Sequence, residues 1–260
     1  MRPLPLLLLA ACASPPPAPA QSAPPPVVSV GEAPPVVMTA AIAPAPIEAP
    51  KAAGLRVNGD ADVPLFTDDP VRGDDRALVT LVVFTDYECP PCKMAVPILT
   101  EVQADFGDDA VRLVHKHFPL KFHPRARPAA EAAVAVHQLG GYEAFEVFQR
   151  LLFDNQAALS EDALPTWAAE AGVSNAKLRA FLDGPRAAEK VDRDVALAGE
   201  LEVVGVPDVR INCQPQQSAL DASALKAAIV AEQKLAEEAL RAGASRDTIY
   251  RTRCEAHRAD

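Results

Sequence analysis

The apolar run Leu78-Val79-Thr80-Leu81-Val82-Val83-Phe84 stands just ahead of Cys89-Pro90-Pro91-Cys92, and an amphipathic stretch begins at once behind the second cysteine. Such a run reads as a central strand, here from about Ala77 to Thr85. Met94, Ile98, Leu99 and Val102 then recur at helical spacing, and Pro90 falls in the first helical turn, where its missing N–H costs least. A strand that ends in a cysteine pair at a helix N-terminus commits this part of the chain to an α/β layer.

That placement also sets a chemistry. The unpaired N–H groups and the positive end of the helix dipole favour a thiolate on the first sulfur, Cys89. Cys92 follows one turn later, so a mixed disulfide on Cys89 can be resolved within the chain. Pro90 and Pro91 fill the interior of the pair. The competing use of this spacing is half of a zinc site, which needs four ligands. Cys12, Cys213 and Cys254 are isolated in sequence and no second pair exists, so no metal is expected.

Composition divides the chain. Fourteen of the 26 prolines fall in the first 50 residues, and between Ala13 and Pro50 the only charges are Glu32 and Glu48. Such a stretch cannot assemble a core. The boundaries drawn are a signal at 1–11, a Pro/Ala-rich linker at 12–55, a folded domain at 56–240 and a helical tail at 241–260. Met1 to Cys12 has one positive charge, a short apolar core and small residues before a cysteine, which outlines an export signal too short to span a bilayer. Leu9-Ala10-Ala11-Cys12 resembles the bacterial lipobox, in which the cysteine is lipidated; cleavage after Ala18-Pro19-Ala20 is the other route. Either route removes Cys12 from the disulfide pool. Four cysteines then remain, enough for the dithiol plus one structural bond between Cys213 and Cys254, unless those two are unrelated thiols. A formal charge of −10 argues against a nucleic-acid partner.

Along the rest of the chain, Val63 to Phe66 reads as an edge strand, Asp68 to Arg76 as a turn-rich connection and Val111 to His117 as a second strand. From about 124 to 201 the pattern is helical: Ala129–Leu139, Tyr142–Phe153, Glu161–Ala171, Asn175–Leu182 and Glu189–Leu201. Val209 to Ile211 is a brief strand, Ser223 to Leu240 a long helix, and Thr248 to Arg253 a short one. Trp167 and the set Phe145, Phe148 and Phe153 have helical spacing and are assigned to the core. His115 and His117, on one strand face, could approach the site but are expected to be partly exposed structural residues, and His123 is expected to begin a helix rather than to act in catalysis.

With these pieces in place the chain resembles the DsbA-like branch of the thioredoxin fold over about residues 62–235. Phe84-Thr85-Asp86-Tyr87-Glu88-Cys89-Pro90-Pro91-Cys92 is similar to that family's active-site segment. Phe118-Pro119-Leu120 with His123 and Ala129-Ala130-Glu131-Ala132-Ala133 is similar to its first inserted helix, and Val204-Gly205-Val206-Pro207 to its cis-proline loop. The resemblance implies a thioredoxin fold with an inserted helical subdomain, Cys89 as nucleophile, Cys92 as resolving thiol and Pro207 cis and facing them. Val206 would offer strand-like hydrogen bonds to an extended peptide. Val206 stands where relatives commonly have Thr, and Asn212 is followed by Cys213 where they commonly have Gly.

The function so implied is an envelope thiol–disulfide oxidoreductase, periplasmic and tethered if Cys12 is lipidated, with no cofactor beyond its own cysteines. Its partners would be exported proteins with cysteines and a redox partner that regenerates the dithiol. A non-catalytic binding or chaperone-like module on the same fold, and a dedicated reductase for one client, are the alternatives. Asp86, if buried, is the candidate to move the proton of Cys92. Prolines at both interior positions leave the Cys92 amide as the donor nearest in sequence to Cys89, and Glu88 should disfavour a thiolate beside it.

Overall fold

The computed structural model describes residues 61–259, all of them within the unit Ala49–Asp260. The signal segment, Cys12 and the Pro/Ala-rich stretch lie outside the described residues. Alternation along the central strand sets the layers. In β2 (Val79–Thr85), Val79, Leu81 and Val83 face Leu99 and Val102 of α1 (Pro90–Phe106) and Leu225 and Ile229 of α6 (Ala222–Arg241). Val82 and Phe84 face the other way, onto Val114, Leu197, Ala198 and Tyr250. Both faces of the strand are therefore covered, which is why its sequence is apolar throughout.

β3 (Val111–His117) pairs in parallel with β2 from Val79↔Val111 to Thr85↔His117, and α1 is the crossover between them. β4 (Asp208–Ile211) pairs antiparallel on the other side of β2, and with β1 (Val71–Arg72) and β5 (Gln214–Gln216) at the edges the sheet order is β1-β3-β2-β4-β5. Between β3 and β4 lie α2 (Ala126–Asp154), a 3₁₀ turn at Gln156–Ala158, α3 (Leu164–Glu170), α4 (Asn175–Leu182) and α5 (Arg186–Glu200). Their apolar faces meet around Phe145, Phe148, Leu152, Trp167 and Val191, and this core runs on to Tyr87, Cys89 and Cys92.

Several expected elements are corrected. The edge strand is not Val63–Phe66 but β1, Val71–Arg72, antiparallel to β3 within the segment read as a connection. The two helices expected either side of Gly140-Gly141 are found, by contrast, as expected: Gly141, at φ 79° and ψ −173°, breaks the helical backbone within Ala126–Asp154. A fifth strand, β5 (Gln214–Gln216), was not anticipated. Met94 is half exposed at 52% rather than in the core stripe; Ala95 and Val96 take that side of α1. His115 and His117 are fully buried, because α2 lays Tyr142, Phe145 and Gln149 over their end of β3.

The insertion is tied to the sheet by charge as well as by packing. Lys116 on β3 and Lys190 on α5 both reach the buried carboxylate of Asp69, at 2.7 and 2.9 Å, and Lys190 also bonds Asp194. Asp194 accepts the backbone N–H of His117 at 2.9 Å. Burial works to raise the Asp69 carboxyl, but Lys190 and Lys116 outweigh it and hold it below the usual carboxylate range.

The C-terminal helix α7 (Ile249–Ala259) is fastened at several points. Tyr250 Oη donates to the Val63 carbonyl at 2.8 Å, Arg253 pairs with Glu232 at 2.6 Å, and Cys254 is joined to Cys213 by a disulfide. Cys213 sits in the Asn212-Cys213 turn between β4 and β5, where both residues have positive φ, 42° and 74°, as a type I′ hairpin turn requires. Asn tolerates that geometry and Cys does so at a cost. The Asn212 side chain also accepts from Thr80 N and donates to Leu78 O and Glu232, so the turn is locked to the start of β2. The disulfide closes a loop across a sequence separation of 41, for which the loop-entropy estimate is about 4 kcal/mol. Replacing both Cys213 and Cys254 by alanine should lower Tm by roughly 10 °C in a domain of this size. A calorimetric melt showing a loss of only a degree or two would mean that Tyr250 and Arg253 hold α7 without it.

Candidate active site

The site is the segment between β2 and α1, held from both sides. Cys89 is the N-cap of α1, with extended backbone (φ −79°, ψ 116°), and Pro90 and Pro91 open the helix. Proline suits these positions because the first helical N–H groups have no intrahelical acceptor. The Cys89 N–H donates to Asp86 O at 3.2 Å, which turns the chain out of the strand. Tyr87 O accepts from Gln156 Nε2 at 2.9 Å.

The two cysteines are free thiols in unlike surroundings. Cys89, 6% exposed, has its sulfur 3.4 Å from the carbonyl oxygen of Val206, to which the thiol donates. Cys92 is 0% exposed, and burial pushes its thiol above the usual range, opposed by a hydrogen bond from the Asp86 backbone. The Val206-Pro207 peptide is cis, and this loop is what brings the Val206 carbonyl to Cys89. The arrangement gives one nearly buried sulfur at a helix N-terminus, a second, fully enclosed sulfur held protonated behind it, and a backbone edge beside the first.

Two details differ from the reading of the sequence. The Cys92 amide is engaged with the Cys89 carbonyl at 3.1 Å, so the hydrogen bond found at the Cys89 sulfur is to Val206 and not from that amide. Glu88 does not stand as a bare charge beside the nucleophile. Its carboxylate accepts the backbone N–H groups of Arg125 and Ala126, at 2.6 and 2.9 Å, and pairs with the Arg125 guanidinium at 2.7 Å. It thereby supplies the missing cap at the start of α2, where a negative charge suits the helix dipole.

Asp86 is buried, and its carboxylate accepts from Glu88 N at 2.6 Å, from Leu120 N at 2.7 Å and faces His123 Nδ1 at 2.9 Å. His123 precedes α2 as expected and, in addition, closes onto Asp86, a pairing across 37 residues that no local pattern could signal. Cys213 and Cys254 lie at the β4–β5 turn and α7, outside this constellation. Among the described residues there is no cluster of His, Cys, Asp and Glu fit to hold a metal ion, and no helix long and apolar enough to cross a membrane.

A family model described as thioredoxin matches residues 67–231. Among solved structures, BdbD from Bacillus subtilis is 27% identical and superposes with a TM-score of 0.59, covering 69% of this chain and 98% of that one. A thioredoxin-like oxidoreductase from Silicibacter pomeroyi DSS-3 is also 27% identical, with a TM-score of 0.56 over 65% of this chain and 94% of its own. Among curated proteins, the Na(+)/H(+) antiporter NhaA 3 of Salinispora tropica is 32% identical over 203 residues. That match takes in 77% of this chain but 30% of the antiporter, so the chain spans less than a third of that relative's length. The chain belongs to the thioredoxin family.

Proposed function

We propose that Cys89 and Cys92 are the exchanging dithiol and that the chain acts on exported proteins in the bacterial envelope. The observation that carries this is the asymmetry of the pair: Cys89 caps α1 beside a backbone acceptor, while Cys92 is enclosed behind it. In reduction of a client, the Cys89 thiolate attacks a client sulfur and one client thiolate leaves. Cys92 then gives up its proton and attacks the Cys89 sulfur, which releases the second client thiolate and leaves the Cys89–Cys92 disulfide. Oxidation of a client is the same sequence reversed, and a redox partner restores the starting state. Val206, beside the cis Pro207, would dock the client backbone as an added strand.

The envelope assignment draws support from the Cys213–Cys254 disulfide, since such bonds persist in oxidising compartments. The export-type start of the sequence agrees with it, and Cys12 would serve as the lipid tether.

Equilibration of the full-length Cys12→Ser chain against glutathione, with thiol trapping, tests the reading. The expected potential lies between the roughly −120 and −270 mV of the oxidising and reducing extremes of the fold, because the interior has no histidine to favour the thiolate. A value above about −180 mV would make the protein a net oxidant, and one below about −230 mV a reductase fed by a membrane partner. Failure of Cys89 and Cys92 to cycle would overturn the reading in favour of a binding module.

A further inference from the structure

The chemistry above needs a route for one proton. Cys92 must lose it to close the disulfide, yet its sulfur has no access to water. Asp86 is the carboxylate that acts on Cys92 electrostatically, and its backbone hydrogen-bonds the same sulfur. Asp86 is itself sealed off, its side chain 0% exposed. It accepts two hydrogen bonds, from Glu88 N and Leu120 N, of the roughly four that a carboxylate can take, and His123 Nδ1 stands 2.9 Å from its Oδ2, where a proton can lie on either side of the contact. Of these contacts only that with His123 is made by a titratable side chain, and that side chain is 21% exposed. The nearby charges are otherwise spent: Glu88 is paired with Arg125. His117, the other imidazole near the end of the strand, is fully enclosed.

We propose that His123 is the port through which protons pass between Asp86 and bulk water during disulfide closure and opening. This deepens the reading of Cys89 and Cys92 as the exchanging pair and rests on it. In closure, the Cys92 S–H bond breaks and its proton goes to the Asp86 carboxylate. The freed electron pair forms the Cys92–Cys89 bond, and the sulfur that was bound to Cys89 leaves as thiolate with the electrons of the broken bond. With His123 in its Nε2–H tautomer, the proton on Asp86 Oδ2 passes to the free Nδ1 lone pair, the Nε2 proton passes to water, and exchange with solvent then returns the ring to the Nε2–H form. Opening runs the same path inward. His123 touches no reacting sulfur; it acts through Asp86.

The test follows the reduced full-length Cys12→Ser chain mixed with oxidised glutathione, acid-quenched and resolved by mass spectrometry. Two steps are read separately: formation of the glutathione adduct on Cys89, and its conversion to the Cys89–Cys92 disulfide. His123→Asn keeps a side-chain donor for Asp86 but cannot relay a proton; His123→Ala opens the position to solvent. The port predicts that both variants form the adduct at the wild-type rate but close at least about tenfold more slowly, as loss of a proton-transfer group commonly does. Added imidazole should restore closure in His123→Ala, which a merely structural histidine would not permit. Closure at the wild-type rate in His123→Asn, or no response of His123→Ala to imidazole, overturns the port while leaving the dithiol assignment intact. A parent chain that forms no Cys89–Cys92 disulfide at all overturns the assignment beneath it.

Discussion

The Cys92→Ser variant should stop halfway. With Cys89 intact it still attacks a disulfide, but the sulfur that would release the adduct is gone, so the mixed disulfide should accumulate toward one equivalent per chain. Among the described residues no substitute is at hand, because Cys213 and Cys254 are bonded to each other at the β4–β5 turn, and the test is run on the Cys12→Ser background. Cys89→Ser should instead lose exchange down to the uncatalysed background, since a serine hydroxyl neither ionises nor attacks sulfur under these conditions. The asymmetry follows from burial: the Cys92 thiol is fully enclosed and held protonated, whereas Cys89 meets the Val206 carbonyl at the helix end. Oxidised glutathione as the probe and mass spectrometry of the intact chain would decide it. An adduct of equal yield on Cys92 in the Cys89→Ser variant would reverse the two roles.

What could be read from the sequence and what could not divides along one line. β3 was legible to the residue because Val111 to His117 has turns at both ends and β-prone residues between them. α4 was equally plain, with Ser174 capping it through Lys177 N. The edges were not. β1 has only Val71 and Arg72, too few for any alternation to register, and exists because Leu113 and Val114 offer it a partner. β5 is Gln-Pro-Gln, which has no strand signature of its own; its pairing is imposed by the Asn212-Cys213 turn, and Cys in place of Gly hid that turn. The same holds at the site. The Cys-Pro-Pro-Cys pair and the Val206-Pro207 loop announce themselves locally, whereas Asp86–His123 and Glu88–Arg125 each join residues 37 apart. Both pairs arise because the chain leaving β3 folds back over the end of β2, where Phe118 N bonds the Thr85 carbonyl. Buried His115 and His117 belong here too: their exposure depends on α2, whose placement no strand pattern encodes.

Those histidines set the response of the fold to acid. Burial drives His115 down to about 3, with the charge of His137 adding to it. Burial likewise drives His117 well below its ordinary value, reinforced by Lys190 and His115, and His137 to about 4, where Lys190 adds to it. Each therefore stays neutral in the folded state while it would protonate near pH 6.5 in the unfolded chain. The sign follows directly: the unfolded state binds more protons, so the stability present above pH 6.5 is lost as the pH falls toward the folded values. At pH 5 His115 and His137 each cost about 2 kcal/mol, together about 4 kcal/mol, near the lower end of the whole stability of a domain, and His117 adds to them in the same direction. Asp69, held ionised by Lys190 and Lys116, does not enter until below about pH 4, so the two effects are separable. Urea midpoints should fall steeply between pH 7 and 5 and be nearly flat from 7 to 8. His117→Leu should flatten the acid limb, because the ring nitrogens of His117 find no hydrogen-bond partner among the described residues and leucine would fill the space beside Tyr87 and Phe145 without a proton to bind. A midpoint that stays constant from pH 7 to 5 would mean that these imidazoles reach water or an anion when charged, and that their burial does not govern the fold's tolerance of acid.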